Sequence, residues 1–397
     1  MIQRDYLIVG GGVAAASSCE AMRQHDPKGS ATLVSSEAYL PYQRPPLSKT
    51  PFKGHFVAPE KLAEKPIEWY KKKHIELRLG TVLREFNIER RLAVLENGQT
   101  IEFRKACLAT GARARRPQVA GANLGNVVYL RNYRDALAIQ EILLTEKHVV
   151  IVGSGFLGAE VSSTLLHSGA KLSLLSRDKF IWQDLLDPDT AQWLTHLYEA
   201  AGIQLLLNEN LNGFEGKTVV RNIQTKSGLR FPAGLAIVAI GVEPNLSLVV
   251  NTPLSSPSGC PVNEYLETDE KGIYAAGDIA LYPDRIYGGA KRITNVEMAR
   301  AQGLTAGANM TGRKRQKFEV VPTCSSHVLG MHFEFVGDFS MPHLLGEIEG
   351  SREKKNFIAR YRRGETLVAA VLCNRKPEEV HKIQEDVKTS VLARLKK

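Results

Sequence analysis

Cysteine is scarce in this chain. Its 397 residues hold five, Cys19, Cys107, Cys260, Cys324 and Cys373, an odd number with no Cys-x-x-Cys pair. A disulfide framework and a structural zinc site are therefore not expected. Long apolar runs are also missing, and no stretch approaches the ~20 residues that span a bilayer. The N-terminus, Met1-Ile2-Gln3-Arg4-Asp5, leads straight into a strand without the apolar core or cleavage motif of a signal peptide. The chain thus reads as cytoplasmic. Aromatic residues do not interleave with the basic clusters at Arg113/Arg115/Arg116, Arg313-Lys314-Arg315 with Lys317, Arg352/Lys354/Lys355 and Lys396-Lys397. Those clusters read as solvated surface, and nucleic acid is not an expected partner.

What remains is an ordinary globular composition, 43% hydrophobic and 24% charged, in a chain long enough for two or three domains. The net charge of +10 favours anionic partners. Two glycine signatures stand out. Gly10-Gly11-Gly12-Val13-Ala14-Ala15 follows the apolar run Tyr6-Leu7-Ile8-Val9, and Gly153-Ser154-Gly155-Phe156-Leu157-Gly158 follows Val149-Val150-Ile151-Val152. A strand ending in such a turn and opening a helix presents backbone N–H groups to a pyrophosphate. One copy is a weak signal. Two copies, each in its setting, point to two dinucleotides, a flavin and a nicotinamide nucleotide. Dithiol chemistry beside that flavin is not supported, because only Cys19 and Cys107 lie in the first domain and both read as small core residues.

The first unit reads βαβ: strand Asp5–Val9, helix Val13–Gln24, strand Ala31–Ser35. The proline-rich stretch Pro41–Lys49 then reads as rigid and extended, since each proline fixes φ. Leu92–Leu95 and Thr100–Phe103 form a hairpin about Asn97-Gly98. The plan repeats with strand Val149–Val152, helix Leu157–Ser168 ending at Gly169, and strands Lys171–Leu175, Gln204–Leu207 and Leu235–Ile240. Strand Ile273–Ala276, the pair Gly277-Asp278 and a helix from Val296 to Asn309 follow. From 319 onward, strands Phe333–Val336, Phe357–Arg360 and Thr366–Val371 and the helix Pro377–Leu395 make a small α+β domain.

In this order the landmarks resemble the ferredoxin/rubredoxin-reductase branch of the two-dinucleotide flavoproteins, to which apoptosis-inducing factor is a close relative. Pro41-Tyr42-Gln43-Arg44-Pro45-Pro46-Leu47-Ser48-Lys49 is the most specific stretch, and the similarity spans nearly the whole chain. The resemblance implies an α/β fold of glutathione-reductase-like architecture: two Rossmann-like domains and a small α+β C-terminal domain. An FAD domain would cover 1–115 and 243–318, an NAD(P)H domain 116–242, and the C-terminal domain 319–397.

The same resemblance assigns the site residues. Gly10, Gly12, Ala14 and Ala15 would seat the FAD pyrophosphate, with Ser36 and Glu37 at the adenosine ribose. Arg44 would reach the flavin phosphate or ribityl oxygens, with Val82 and Arg131 at the adenosine end. Ala109-Thr110-Gly111, Gly277-Asp278, and Asn295-Val296 at the flavin-facing helix would complete that site; a carboxylate at Asp278 suits ribityl hydroxyls. Lys49 would sit nearest the reactive flavin nitrogen, paired with Glu160, the two forming the catalytic pair. Gly153, Gly155, Leu157, Gly158 and Gly241 would take the nicotinamide dinucleotide, and Phe156 would lie beside its ring. Ser176 and Arg177 stand where NADH enzymes carry a ribose-binding acid, which points to NADPH, with Asp178 leaving NADH open.

The implied activity is hydride transfer from NAD(P)H to FAD, then electron delivery to an acidic ferredoxin or rubredoxin, by a monomer or homodimer. Two departures from the branch matter. Cys324-Ser325-Ser326-His327 replaces a tryptophan-bearing Phe-Trp-Ser-Asp segment, and Thr294 replaces a glutamate before the flavin-facing helix. Cys324 and His327 either fill space or line the site. The altered segment motivates a second reading, a diaphorase or oxidase using small acceptors. A third, a redox-sensing binding protein like apoptosis-inducing factor, lacks the long C-terminal insertion of that relative.

Overall fold

A computed structural model describes residues 1–49, 57–313, 315–339 and 345–395; Lys314, Lys396 and Lys397 of the basic clusters lie outside the described residues. The chain divides into two compact units. The first comprises Met1–Gln43, Ala58–Arg113 and Glu243–Pro322, the second Arg44–Val57, Ala114–Val242 and Thr323–Lys397. The proline-rich stretch from Arg44 onward thus packs with the second unit.

At the centre of the first unit, strand Ile2–Val9 pairs in parallel with Ala31–Val34 and Thr100–Leu108. Ile75–Arg78 extends the sheet beyond Ala31–Val34, and Ile273–Ala275 joins the far end of Thr100–Leu108, both in parallel. The hairpin strands Leu83–Asn87 and Leu92–Leu95 complete seven. Its central strand is apolar at consecutive positions because both faces are covered: Tyr6 and Ile8 enter one core cluster, Leu7 and Val9 another. The hairpin turns at Asn97-Gly98, where Gly98 takes φ +80 and its N–H bonds the Leu95 carbonyl at 3.0 Å.

Across one face of this sheet run two helices, Val13–His25 and Val296–Thr311, packed along a seam of small residues. Both run a little past the expected ends, and the second stops at Gly312 in the left-handed conformation.

In the second unit a parallel sheet runs in the order Gln204–Leu206, Lys171–Leu175, His148–Val152, Leu235–Val238, Val127–Val128. Helix Phe156–Leu165 follows the central strand, tightens into a 3₁₀ turn at Leu166–Ser168 and ends at Gly169 with φ +74. A three-stranded antiparallel sheet (Leu211–Glu215, Asn222–Thr225, Arg230–Pro232) is appended. The C-terminal part is a five-stranded antiparallel sheet, Thr323–Val328, Met331–Gly337, Thr366–Cys373, Asn356–Arg363 and Leu345–Ser351, backed by helix Pro377–Leu395.

One local expectation fails. Pro45–Ser48 is a 3₁₀ turn, closed by Leu47 N–H to Arg44 O at 2.9 Å and Lys49 N–H to Pro46 O at 3.1 Å. Proline fixes φ near −65°, which an extended chain and the first turn of a helix share. The tandem prolines at the start of the turn give up N–H groups that a helix would leave unbonded anyway.

Candidate functional site

The first unit brings its glycine signature to the carboxyl end of the central strand. Gly10 adopts φ +143, and a methyl group there would collide with the Ala109 carbonyl. Only glycine lets the two strand ends approach so closely. Ala109 N–H in turn bonds Val9 O at 2.8 Å, and Thr110 Oγ1 donates to Asn245 O at 2.8 Å. Gly111 accepts from Asn245 N–H at 2.9 Å.

Helix Val13–His25 begins at Gly12 with no side-chain cap, and the space over Gly12 is open. Helix Phe156–Leu165 likewise begins at an uncapped Gly155 with open space above it. Asn132, Asp187 and Asn295, by contrast, cap their helices with side-chain oxygens. Two helix starts without a side-chain acceptor, each opening on a cradle that a Cβ would fill, fit the phosphates of two dinucleotides.

Around the first cradle, Glu37 accepts from Tyr42 Oη at 2.6 Å and its own N–H bonds Ser35 Oγ at 3.1 Å, while Ser36 faces solvent. Val82 is exposed, and its N–H bonds Glu96 Oε1. Asp278 is 8% exposed and follows Gly277, whose N–H bonds the buried Gln302 Oε1 at 2.8 Å. Asn295 accepts from Met298 N–H at 2.8 Å, Val296 is half-buried, and Thr294 points to solvent. Burial pushes the Cys19 thiol up to about 12 and that of Cys107 up to about 11, so neither is a thiolate near neutral pH.

In the second unit Gly153, at φ +113, donates its N–H to Leu175 O at 2.8 Å, and Gly158 is buried. Leu157 is half-buried beside it, and Gly241, at φ +99, accepts from Arg115 N–H at 3.0 Å. Phe156 packs edge-on against Phe335 with centroids 4.8 Å apart and tilts over Trp182 at 5.5 Å. Ser154 and Ser176 hydroxyls lie 2.8 Å apart, and both donate to Asp178 Oδ2, at 2.9 and 3.1 Å. Arg177 is 79% exposed and stands 3.6 Å from Asp178 Oδ1. Arg44 Nη1 donates to Arg131 O at 2.9 Å, and Arg131 N–H bonds Asp135 Oδ2. Val82 and Arg131 belong to different units.

A polar cluster surrounds Glu160, which is 7% exposed. Lys49 Nζ lies 3.4 Å from Oε1, Ser326 Oγ donates to Oε1 at 2.6 Å, and Ser48 Oγ donates to Oε2 at 2.7 Å. The sequence reading paired Lys49 with Glu160 and missed both serines. For Ser48 a signal existed, its place beside Lys49 in the most specific motif. For Ser326, inside a departing segment, there was none.

Cys324 and His327 do not form a nucleophilic pair. Residues three apart on the strand Thr323–Val328 point to opposite faces. Burial pushes the Cys324 thiol up to about 12, and His327 Nε2 lies 2.8 Å from His332 Nδ1 instead. His332 Nε2 in turn meets Glu334 Oε1 at 2.7 Å.

A molecule with two glycine-cradled helix starts on parallel sheets, and a buried glutamate on one of those helices paired with a lysine, is of the two-dinucleotide oxidoreductase class. The chain belongs to the pyridine nucleotide-disulphide oxidoreductase family, whose model matches residues 4–303. It is similar to the ferredoxin–NAD(+) reductase subunit of the benzene 1,2-dioxygenase system of Pseudomonas putida, 30% identical over 335 residues, covering 84% of this chain and 81% of that one. Peroxisomal monodehydroascorbate reductase 4 of Arabidopsis thaliana is also 30% identical, over 84% of this chain and 72% of its own. Among solved structures, putidaredoxin reductase in its covalent complex with putidaredoxin matches with TM-score 0.91 and 27% identity, over 98% of this chain and 94% of that one.

Proposed function

We propose that this chain is an FAD-containing NAD(P)H oxidoreductase that passes electrons to a small acidic iron–sulfur protein of the ferredoxin or rubredoxin type. The observation that carries this reading is the pair of a half-buried Lys49 with the buried Glu160 of the second glycine-led helix, whose carboxylate is held by two hydroxyls. FAD, when bound, supplies the hydride and single-electron chemistry. In this reading Gly10, Gly12, Ala14, Ala15, Glu37 and Asp278 bind it, and Gly153, Gly155, Gly158, Ser176 and Arg177 bind the nicotinamide dinucleotide. Domain limits of 1–115 with 243–318, 116–242 and 319–397 follow from the same assignment.

Lys49 presents an ammonium where negative charge develops, and Glu160 keeps that cation in place. Glu160 lacking its lysine would be a costly buried charge. Phe156, braced by Phe335 and Trp182, keeps water from the nicotinamide face.

The nucleotide is read by two groups of opposite charge. Arg177, largely exposed and 3.6 Å from Asp178 Oδ1, suits a 2′-phosphate, while the pinned carboxylate of Asp178 suits ribose hydroxyls. Relatives named for NAD(+) support NADH, and Arg177 supports use of NADPH as well.

The test is anaerobic stopped-flow reduction of the purified protein by NADH and by NADPH, followed by mixing with ferredoxin, rubredoxin and a neutral quinone. Fast flavin bleaching, on the order of tens per second, with rapid reoxidation by an iron–sulfur protein supports the proposal. Reoxidation by the quinone alone would favour a small-acceptor reductase, a reading that the Cys324–His327 departure and the monodehydroascorbate reductase relative support. A protein that binds no flavin overturns both.

A further inference from the structure

Glu160 is held more firmly than a salt bridge alone requires. Its carboxylate offers about four acceptor directions, and three are taken, by Ser48 and Lys49 from the 3₁₀ turn and by Ser326 from the C-terminal sheet. Ser48 comes from the 3₁₀ turn, 112 positions away, and Ser326 from the C-terminal sheet, 166 positions away. Both serines are essentially buried, Ser326 completely. The Ser326 hydroxyl has Glu160 as its acceptor, whereas Ser48 Oγ also lies 3.0 Å from Pro45 O. One turn further along the same helix, Ser163 Oγ accepts the N–H of Leu329 at 2.7 Å, so the strand carrying Ser326 is tied to the helix twice.

We propose that Ser326 and Ser48 are positioning residues that fix the carboxylate of Glu160 in one rotamer and, through it, aim the ammonium of Lys49. The C-terminal domain then completes the reducing site by contributing a hydroxyl to it. The proposal rests on the oxidoreductase reading above. Hydrogen bonds to a carboxylate are directional and short, so the two hydroxyls set the plane of the group, which one lysine 3.4 Å away does not. Loss of either hydroxyl leaves a buried carboxylate one donor short and free to turn toward Lys49.

The experiment uses the full chain with flavin bound and compares Ser326→Ala, Ser48→Ala and Ser326→Thr, with Ser326→Ala repeated in a Glu160→Gln background. Ser325→Ala, on the solvent face of the same strand, is the control. Flavin reduction gives the limiting rate and the nucleotide dissociation constant separately. Ser326→Ala is expected to lower the limiting rate about tenfold, as one charge-assisted hydrogen bond implies, with the dissociation constant within about twofold. Ser326→Thr should recover most of the rate. In the Glu160→Gln background Ser326→Ala should cost nothing further, because the serine acts through the carboxylate. Equal losses in both backgrounds, or a loss confined to the dissociation constant, would overturn the proposal.

An infrared difference spectrum of the flavin-free protein supplies an independent readout. The carboxylate band removed by Glu160→Gln should shift on Ser326→Ala and not on Ser325→Ala. An unshifted band in a protein that the nucleotides do reduce refutes the clamp alone. A shifted band in a protein that neither nucleotide reduces refutes the oxidoreductase reading and the positioning role with it.

Discussion

Arg177 and Asp178 are neighbours in sequence with opposite consequences for the nucleotide. Asp178 is committed, since Ser154 and Ser176 both donate to one of its oxygens; Arg177 is 79% exposed and stands 3.6 Å from the other oxygen. Arg177→Ala is therefore expected to raise KM for NADPH by about tenfold or more, the value of one charge-assisted contact, and to leave KM for NADH within about twofold. Steady-state kinetics with both nucleotides decide it, and equal effects on both would remove Arg177 from the 2′-phosphate site. His327 offers a test of a different kind. Partial desolvation of its ring, the adjacent His332 and the charge of Lys49 hold it below the usual histidine value, against the pull of Glu160. The unfolded chain then takes up this proton at a higher pH than the folded one. Its contribution to stability is complete above pH of about 6.5, declines as the pH falls from there toward the folded value, and levels off below it. Melting curves from pH 7 to 5 should fall less steeply for His327→Asn than for the parent, and parallel curves would assign the slope to other groups.

At the scale of elements, the seam between helices Val13–His25 and Val296–Thr311 sets the first cradle. A methyl on Gly303 would strike the Ala14 carbonyl, and one on Gly307 the Ser18 carbonyl. Glycine to alanine in an exposed helix interior stabilises by about 1 kcal/mol, so the sign at these positions is diagnostic. Gly307→Ala should destabilise, by about 1–3 kcal/mol for overpacking, and should lower the flavin retained per protein, because the helix it pushes carries the cradle at its N-terminus. Thermal unfolding with the visible-to-ultraviolet absorbance ratio measures both, and a raised melting temperature would mean that the seam has room. Neither glycine is conspicuous in the sequence, whereas both cradles are. Gly10 and Gly153 follow apolar runs, and the Asn97-Gly98 hairpin lies between alternating strands, so local period and turn chemistry reveal them. The clamp on Glu160 was hidden for the opposite reason. Its serines lie 112 and 166 residues away; Ser48 at least adjoins Lys49, whereas nothing short-range links Ser326 to the carboxylate. The proline-rich stretch was misread because a fixed φ serves two conformations, and the Leu47 and Lys49 N–H bonds that choose the 3₁₀ turn are not visible in composition.

For the molecule as a whole, charge bears on the identity of the electron acceptor. Several of its cations are locally spent: Arg113 on Glu243, Arg285 on Glu319, Arg313 on Asp26, and Arg116 stacked 4.5 Å from the centre of the Tyr129 ring. Pairing moves no net charge, however, and 52 lysines and arginines against 42 acids leave +10. Beyond a few ångströms an approaching protein responds to that excess, which draws in an acidic carrier and is screened over about 10 Å at 0.1 M salt. A neutral quinone feels neither. Raising salt from about 0.02 M to about 0.3 M should therefore lower kcat/KM for an acidic ferredoxin by about tenfold or more, while kcat/KM for the quinone stays within about twofold. The internal control is reduction by NADH at saturation, which involves no protein encounter and should not respond to salt. A flat response with ferredoxin would mean that the basic excess does not steer this partner, and a small acceptor would then account better for the exposed Ser325 and His327 face.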